Sequence, residues 1–167
     1  MPDNQLLNTA VALLHSGKEP EFTNFVDKVT DYCISRENGK VFDEWNHETI
    51  RQLVAYHQLK GTLIVLADNT TDIQGVFMWY NCDNDYTWDF VRDWEPDNPQ
   101  GDSIFLAFLF ADSTQVWKRL LLKLIEREPD VIHKKLIGCR ERSGKPTRVD
   151  YPTKFLSRIL KAKDIDG

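Results

Sequence analysis

The stretch from Asp102 to Leu124, DSIFLAFLFADSTQVWKRLLLKL, constrains the fold of this chain more than any other. From Ile104 to Ala111 it is apolar without a break, the pattern of a strand covered on both faces. The period then changes. Val116, Leu120 and Leu124 form one row at helical spacing, Trp117, Leu121 and Ile125 form a second, and Lys118, Arg119 and Lys123 fall outside both, so the helix buries one face and presents cations on the other. Asp112, Ser113 and Thr114 stand between the halves, where a helix cap belongs. A covered strand that runs straight into a helix calls for a sheet with layers on both sides. Its junction leaves backbone N–H groups pointing out of the helix, a common place to hold an anionic cofactor. It is also simply how α/β proteins connect.

The flanking sequence supplies those layers. Asn4 to His15 and Glu21 to Ser35 read as two helices separated by SGKEP, and WNHETIRQLVAYHQLKG as a third that ends at Gly61. TLIVLA and IQGVFMWY are short, β-branched and aromatic, and joined by DNTTD, which predicts an antiparallel pair. After the strand and helix of the opening, Pro129 stops the helix, KKLIGCRER and TRVDY form a second pair around SGKP, and PTKFLSRILKAK closes as a helix with Pro152 in its first turn. The expectation is a single α/β domain over residues 1–167, helical to about residue 60, then a mixed sheet with its junction helix over about 61–163. Leu106, Phe108, Phe110, Leu120, Leu121, Leu124, Ile64, Leu66, Val76 and Met78 are expected in one core.

Composition bounds the function classes. No run approaches the roughly 18 apolar residues of a membrane span. The N-terminus MPDNQLLNTAVALLH lacks the pattern of a secretory signal, and Cys33, Cys82 and Cys139 are widely spaced and odd in number. Reduced cysteines in the cytoplasm, with no metal site, are the expectation. The net charge of -5 hides an asymmetry: seven acids against Arg92 alone between Asn81 and Asp102, but fourteen Lys or Arg against five acids between Lys118 and Lys163. Such a division suits an anionic ligand or nucleic acid at one end, a cationic partner at the other, or self-association of the basic hairpin with the acidic segment of a neighbouring copy. Solvated helix faces account for it equally well.

The element order resembles the GNAT superfamily of acyl-CoA-dependent N-acyltransferases. The residues that carry the likeness are the strand pair VLADNTTDIQGVFMWY with Gly75, and the central strand and helix IFLAFLFADSTQVWKRLLLKL. The spacing is nearest to the toxin-activating lysine acyltransferases, through GDSIFLAFLFA from Gly101 and RERSGKPTRV from Arg140. The resemblance covers roughly residues 48–160. It implies a mainly antiparallel mixed sheet flanked by helices, and transfer of an acyl or acetyl group from a CoA or carrier thioester to the amine of a protein or small molecule. Acyl-CoA or acetyl-CoA would then sit at Ser113, Thr114, Gln115, Lys118 and Arg119. The chain departs from the family pattern in three places: no glycine-rich turn precedes the helix, Asp112 stands beside the expected phosphate, and Ala107 occupies the strand position where the toxin-activating branch has Asp.

Acyl transfer to an amine needs a proton taken from the amine and one returned to the thiolate. His47 and Glu48 are candidate bases, Tyr80 and Tyr151 candidate acids. Two other classes stay open. The missing glycines and acid suit a catalytically degenerate module of the same fold, used for interaction or structure, as within a viral particle. The hairpin KKLIGCRERSGKPTRV suits a nucleic-acid-associated protein that contacts phosphates.

Overall fold

The computed structural model describes residues 5–36, 46–68, 72–85, 91, 94, 97–142, 145–152 and 154–166. Three helices lead: α1 (Gln5–Ser16), α2 (Pro20–Arg36) and α3 (His47–Lys60). Pro20 occupies the first position of α2, where its missing N–H loses no bond. Asn46 caps α3, its side-chain oxygen accepting the Thr49 N–H at 2.8 Å. Then come β1 (Leu63–Ala67), β2 (Ile73–Cys82), β3 (Ser103–Ala111), α4 (Thr114–Arg127), a 3₁₀ turn (Pro129–His133), β4 (Lys135–Arg142), β5 (Lys145–Asp150) and α5 (Phe155–Asp166).

The five strands form one sheet in the order β1-β2-β3-β4-β5. Every neighbouring pair is antiparallel except β3 and β4. This is the mixed, mainly antiparallel sheet flanked by helices that the sequence predicts. Pro152 lies outside the last helix, a correction to the expected boundary. Lys154 takes a left-handed φ of 66°, so helical geometry starts only at Phe155, whose N–H bonds the Pro152 carbonyl at 3.1 Å.

The expected single core is in fact two, one on each face of the sheet. Val76, Met78, Tyr80, Phe105 and Phe108 pack against α1, α2 and α3 through Ala10, Val29 and Leu53. Ile64, Leu66, Phe77, Trp79, Ile104 and Leu106 pack against Leu120, Leu121 and Leu124 of α4. Of the residues expected inside, Phe110 alone is only partly buried. Two-sided cover explains why β3 has no polar alternation: every side chain from Ser103 to Phe108 is buried, whichever way it points. Gly75 lets α4 sit close, since a Cβ there would stand 2.6 Å from Val116 Cγ1.

Among the described residues no helix is long and apolar enough to cross a membrane. Asp89, Arg92, Asp93 and Glu95 of the acidic segment lie outside the described residues, as do the side chains of Arg140, Arg142 and Lys145.

Candidate functional site

Two irregularities of β3 open a cleft in the sheet. Along β2 the register runs Met78↔Phe108 and then Trp79↔Leu106, so Ala107 is an extra residue with no partner. A bulge of this kind bends the strand and increases its twist. On the other side β3 pairs with β4 only from Ser103↔Lys135 to Leu106↔Gly138. Beyond that pair the strands part, one residue before the bulge, although β3 continues to Ala111 and β4 to Arg142.

The gap is about 460 Å³. Leu106, Ala107, Leu109 and Ala111 wall it from β3, Gly138, Cys139 and Tyr151 from the other side, and Ser113, Thr114 and Trp117 lie at the start of α4. Gly138 leaves room for its neighbour: an added Cβ would stand 2.8 Å from Tyr151 Cε2, and the ring would have to shift. The absent side chain is the seat of the Tyr151 ring.

At the start of α4, Ser113 is extended, with φ -154° and ψ 165°. Its Oγ accepts the Val116 N–H at 3.2 Å and its carbonyl the Trp117 N–H at 3.0 Å. The N–H groups of Thr114 and Gln115 have no acceptor among the described residues, and helix N-termini in this state favour anions. Asp112 does not oppose this. Its carboxylate turns to α2, where Arg36 Nε and the Tyr32 hydroxyl each lie 2.9 Å from Oδ1, and the Arg36 hydrogen bond holds its pKa below the usual carboxylate range. Asp112 lines a different depression, with Lys28, Asp68 and Asp72.

The sequence candidates therefore separate. Ser113, Thr114 and Tyr151 meet at the cleft. Gln115, Lys118 and Arg119 instead line, with Thr114, an adjoining groove of about 750 Å³ between α4 and α5, floored by Leu122, Phe155 and Ile159. His47 is exposed at the start of α3, with Nε2 3.3 Å from Asp31 Oδ1. Glu48 binds His15 and Arg51, each at 3.3 Å. Burial pushes its pKa up, but bonds from His15, Gln52 and Arg51 prevail and leave it lowered, so it is ionised and committed. Tyr80 is fully buried on the α3 side of the sheet. Burial first, then the nearby Tyr56 and Asp97, push its hydroxyl well above the ordinary value. Cys139 stands in the cleft with its thiol pushed up to about 11 by burial, which keeps it protonated at neutral pH. No carboxylate or imidazole lines the cleft among the described residues, and no three metal-ligating side chains converge.

A second charged constellation escaped the sequence reading. Lys60 Nζ lies 2.5 Å from Asp97 Oδ1, their side chains 10% and 12% exposed, and sits over the rings of Tyr80 at 3.8 Å and Tyr56 at 4.8 Å. Asp97 also accepts the backbone and side-chain N–H groups of Asn81 at 3.1 and 3.2 Å. Burial lowers the Lys60 pKa to about 8 against the pull of Asp97. His57, one turn earlier and fully buried, is held neutral by burial and by the Lys60 charge, with Nδ1 2.8 Å from Thr62 Oγ1. The only sequence signal was a His and a Lys three apart on the apolar side of α3. This cluster fastens residues 97–98 to the end of β2, beside the start of β3 and so at the end of that strand opposite the cleft.

The oppositely charged segments also meet within one chain. Arg148 of β5 bonds the Asn84 carbonyl at 2.7 Å and its side-chain oxygen at 2.9 Å. A scan against protein-family models finds no match for the chain, and a search of curated proteins finds none either.

Proposed function

We propose that this chain is a GNAT-like acyltransferase, moving an acyl or acetyl group from a CoA or carrier thioester to the amine of a protein or small molecule. The observation that supports this reading is the parting of β3 from β4 beyond Leu106 and Gly138, beside the start of α4. Strand edges that lose their ladder partner keep N–H and C=O groups for an amide-bearing substrate laid between them. The N–H groups of Thr114 and Gln115 suit a phosphate at the mouth. A bound thioester supplies an acyl carbon activated toward a neutral amine. Tyr151 is the cleft residue suited to handle the proton. Its hydroxyl protonates the departing thiolate and regains a proton from the newly acylated nitrogen, so amine and thioester become amide and free thiol with no net proton change. With no carboxylate or imidazole among the described lining residues, most of the rate would come from holding the reactants together.

That same lining favours a second reading, a catalytically degenerate module that uses the cleft only to bind within a larger assembly. Calorimetric titration with CoA and acetyl-CoA at low salt tests both. Thr114→Pro sharpens the test: it deletes one unclaimed N–H at the first helical position, where proline is tolerated, and extended Ser113 suits the residue before a proline. Weaker CoA binding with an unchanged melting temperature is expected. No heat and no thermal shift at millimolar CoA sinks the acyltransferase reading, and binding without acylation of an amine panel selects the second.

A further inference from the structure

Below the cleft, on the far side of Tyr151, lies a separate cavity of about 640 Å³ between α5, the 3₁₀ turn and the start of β4. Its wall carries His133, Lys134, Lys135, Lys154 and Lys161. Asp150 answers Lys135 at 3.2 Å, and among the described residues Lys134 reaches the neutral Asn81 Oδ1 at 3.4 Å. Lys154 and Lys161 have no carboxylate partner among the described residues. The floor is apolar and partly aromatic, the rings of Tyr151 and Phe155 lying 5.0 Å apart between centroids. Ser157 and the first turn of α5, which holds no acid, complete the rim.

Four lysines around one concavity suit several negative charges on one small ligand, and an aromatic floor, its two rings tilted 43° to each other, offers a ring for a base to pack against. A nucleic-acid backbone would be matched by cations spread along an open face instead. Lys154 adds an independent sign. It holds the left-handed φ of 66°, which favours glycine and costs a residue with a Cβ about 1 kcal/mol, yet the position carries a lysine. Strain kept at a cavity rim points to a use for the side chain.

We propose that this cavity binds a nucleoside polyphosphate, with its phosphates among Lys154, Lys161, Lys134 and Lys135 and its base on the Tyr151–Phe155 floor. The site is distinct from the thioester cleft and touches it only through Tyr151, which lines both.

The experiment is calorimetric titration of the whole chain with ATP, tripolyphosphate and adenosine at low salt, alone and with saturating CoA. Lys154→Gly and Lys161→Gln are titrated beside it. Lys154→Gly separates binding from folding, because glycine relieves the strained φ: its melting temperature should hold or rise while ATP affinity falls roughly tenfold, the loss of one charge-assisted contact. Lys161→Gln should weaken ATP similarly. ATP should bind at least about tenfold tighter than tripolyphosphate, as base stacking on the floor requires, and should still bind when CoA is saturating. Equal affinity for ATP and tripolyphosphate, unchanged affinity in both variants, or a mixed-sequence RNA that binds through the same lysines more tightly than ATP would each overturn the proposal. Displacement of ATP by CoA would overturn it too, making the cavity part of the thioester site.

Discussion

Replacing Asp97 by Asn leaves the Lys60 ammonium buried without its paired carboxylate, against a neutral amide and the faces of Tyr56 and Tyr80. Even with Asp97 in place, burial brings Lys60 from an ordinary 10.5 to about 8, a gap worth about 3 kcal/mol at about 1.4 kcal/mol per pH unit. The penalty is fully present below pH 8, where the lysine is protonated in both the folded and the unfolded chain. Between pH 8 and 10.5 the unfolded chain keeps a proton that the folded chain has shed, so this group adds stability as pH rises. Removing Asp97 takes away the interaction that raises the Lys60 pKa. Asp97→Asn should therefore lose about 3 to 5 kcal/mol at pH 7, the range for breaking a buried ion pair, and the deficit should shrink toward pH 9.5 as Lys60 becomes neutral in the folded variant. Urea unfolding followed by tryptophan fluorescence measures it. Cys82 and Cys139, pushed up to about 12 and about 11 by burial, draw stability down as pH rises above 9; the Cys139 share cancels in the difference between the proteins, and the Cys82 share, raised in part by Asp97, is smaller in the variant and shrinks the deficit further above pH 9. The double variant Lys60→Met, Asp97→Asn removes both charges and should regain most of the loss. A single variant within 1 kcal/mol of the wild type, or a double no more stable than the single, refutes the reasoning.

Phe108→Ala should lower stability by about 3 to 5 kcal/mol in the same assay, the range for truncating a buried aromatic, because Phe108 is 3% exposed under α1–α3. Arg36→Ala should weaken CoA binding several-fold by leaving Asp112 without its cation next to α4, and adding Asp112→Asn should restore the affinity; calorimetry reads both. Deleting Ala107 should remove the bulge without turning any other side chain to the wrong face, since Leu106 and Phe108 already face opposite layers. The deletion variant should fold, and CoA binding should fall as β3 follows β4 more closely.

What the sequence made legible rests on period. The unbroken run from Ile104 to Ala111 against the rows of α4 was enough to place a covered strand, a cap and a helix, because burial on both faces erases polar alternation. Cap chemistry placed the start of α4 at Asp112 to Thr114, where Ser113 proves to be the cap, whereas the third helix was read from Trp45 and begins at His47, behind the Asn46 cap. The last helix was misplaced because the φ of Lys154 has no local signal in a lysine. The Lys60–Asp97 pair was out of reach for a different reason. Its members lie 37 residues apart, and only the folded sheet brings the end of α3 beside the segment before β3. Asp112 read as a charge set against a phosphate, but an arginine in α2, 76 residues earlier, claims it.

Ala107 is the instructive case. Read along the strand it is a small apolar residue where a catalytic acid was sought, and its meaning was taken to be an absence. In the sheet it is the one residue of β3 that β2 does not pair, and β3 leaves β4 just before it. A regular strand of the same composition would have no local reason to turn at that point; the extra residue adds twist there. Leu106 and Gly138 make the last pair before the turn, and Gly138 then admits the Tyr151 ring at the root of the opening. A bulge has no composition of its own, since any residue can be the extra one and only the count against the neighbouring strand reveals it. The cleft is thus encoded by one residue more on β3 than on β2, and that count can be made only after the strands are paired.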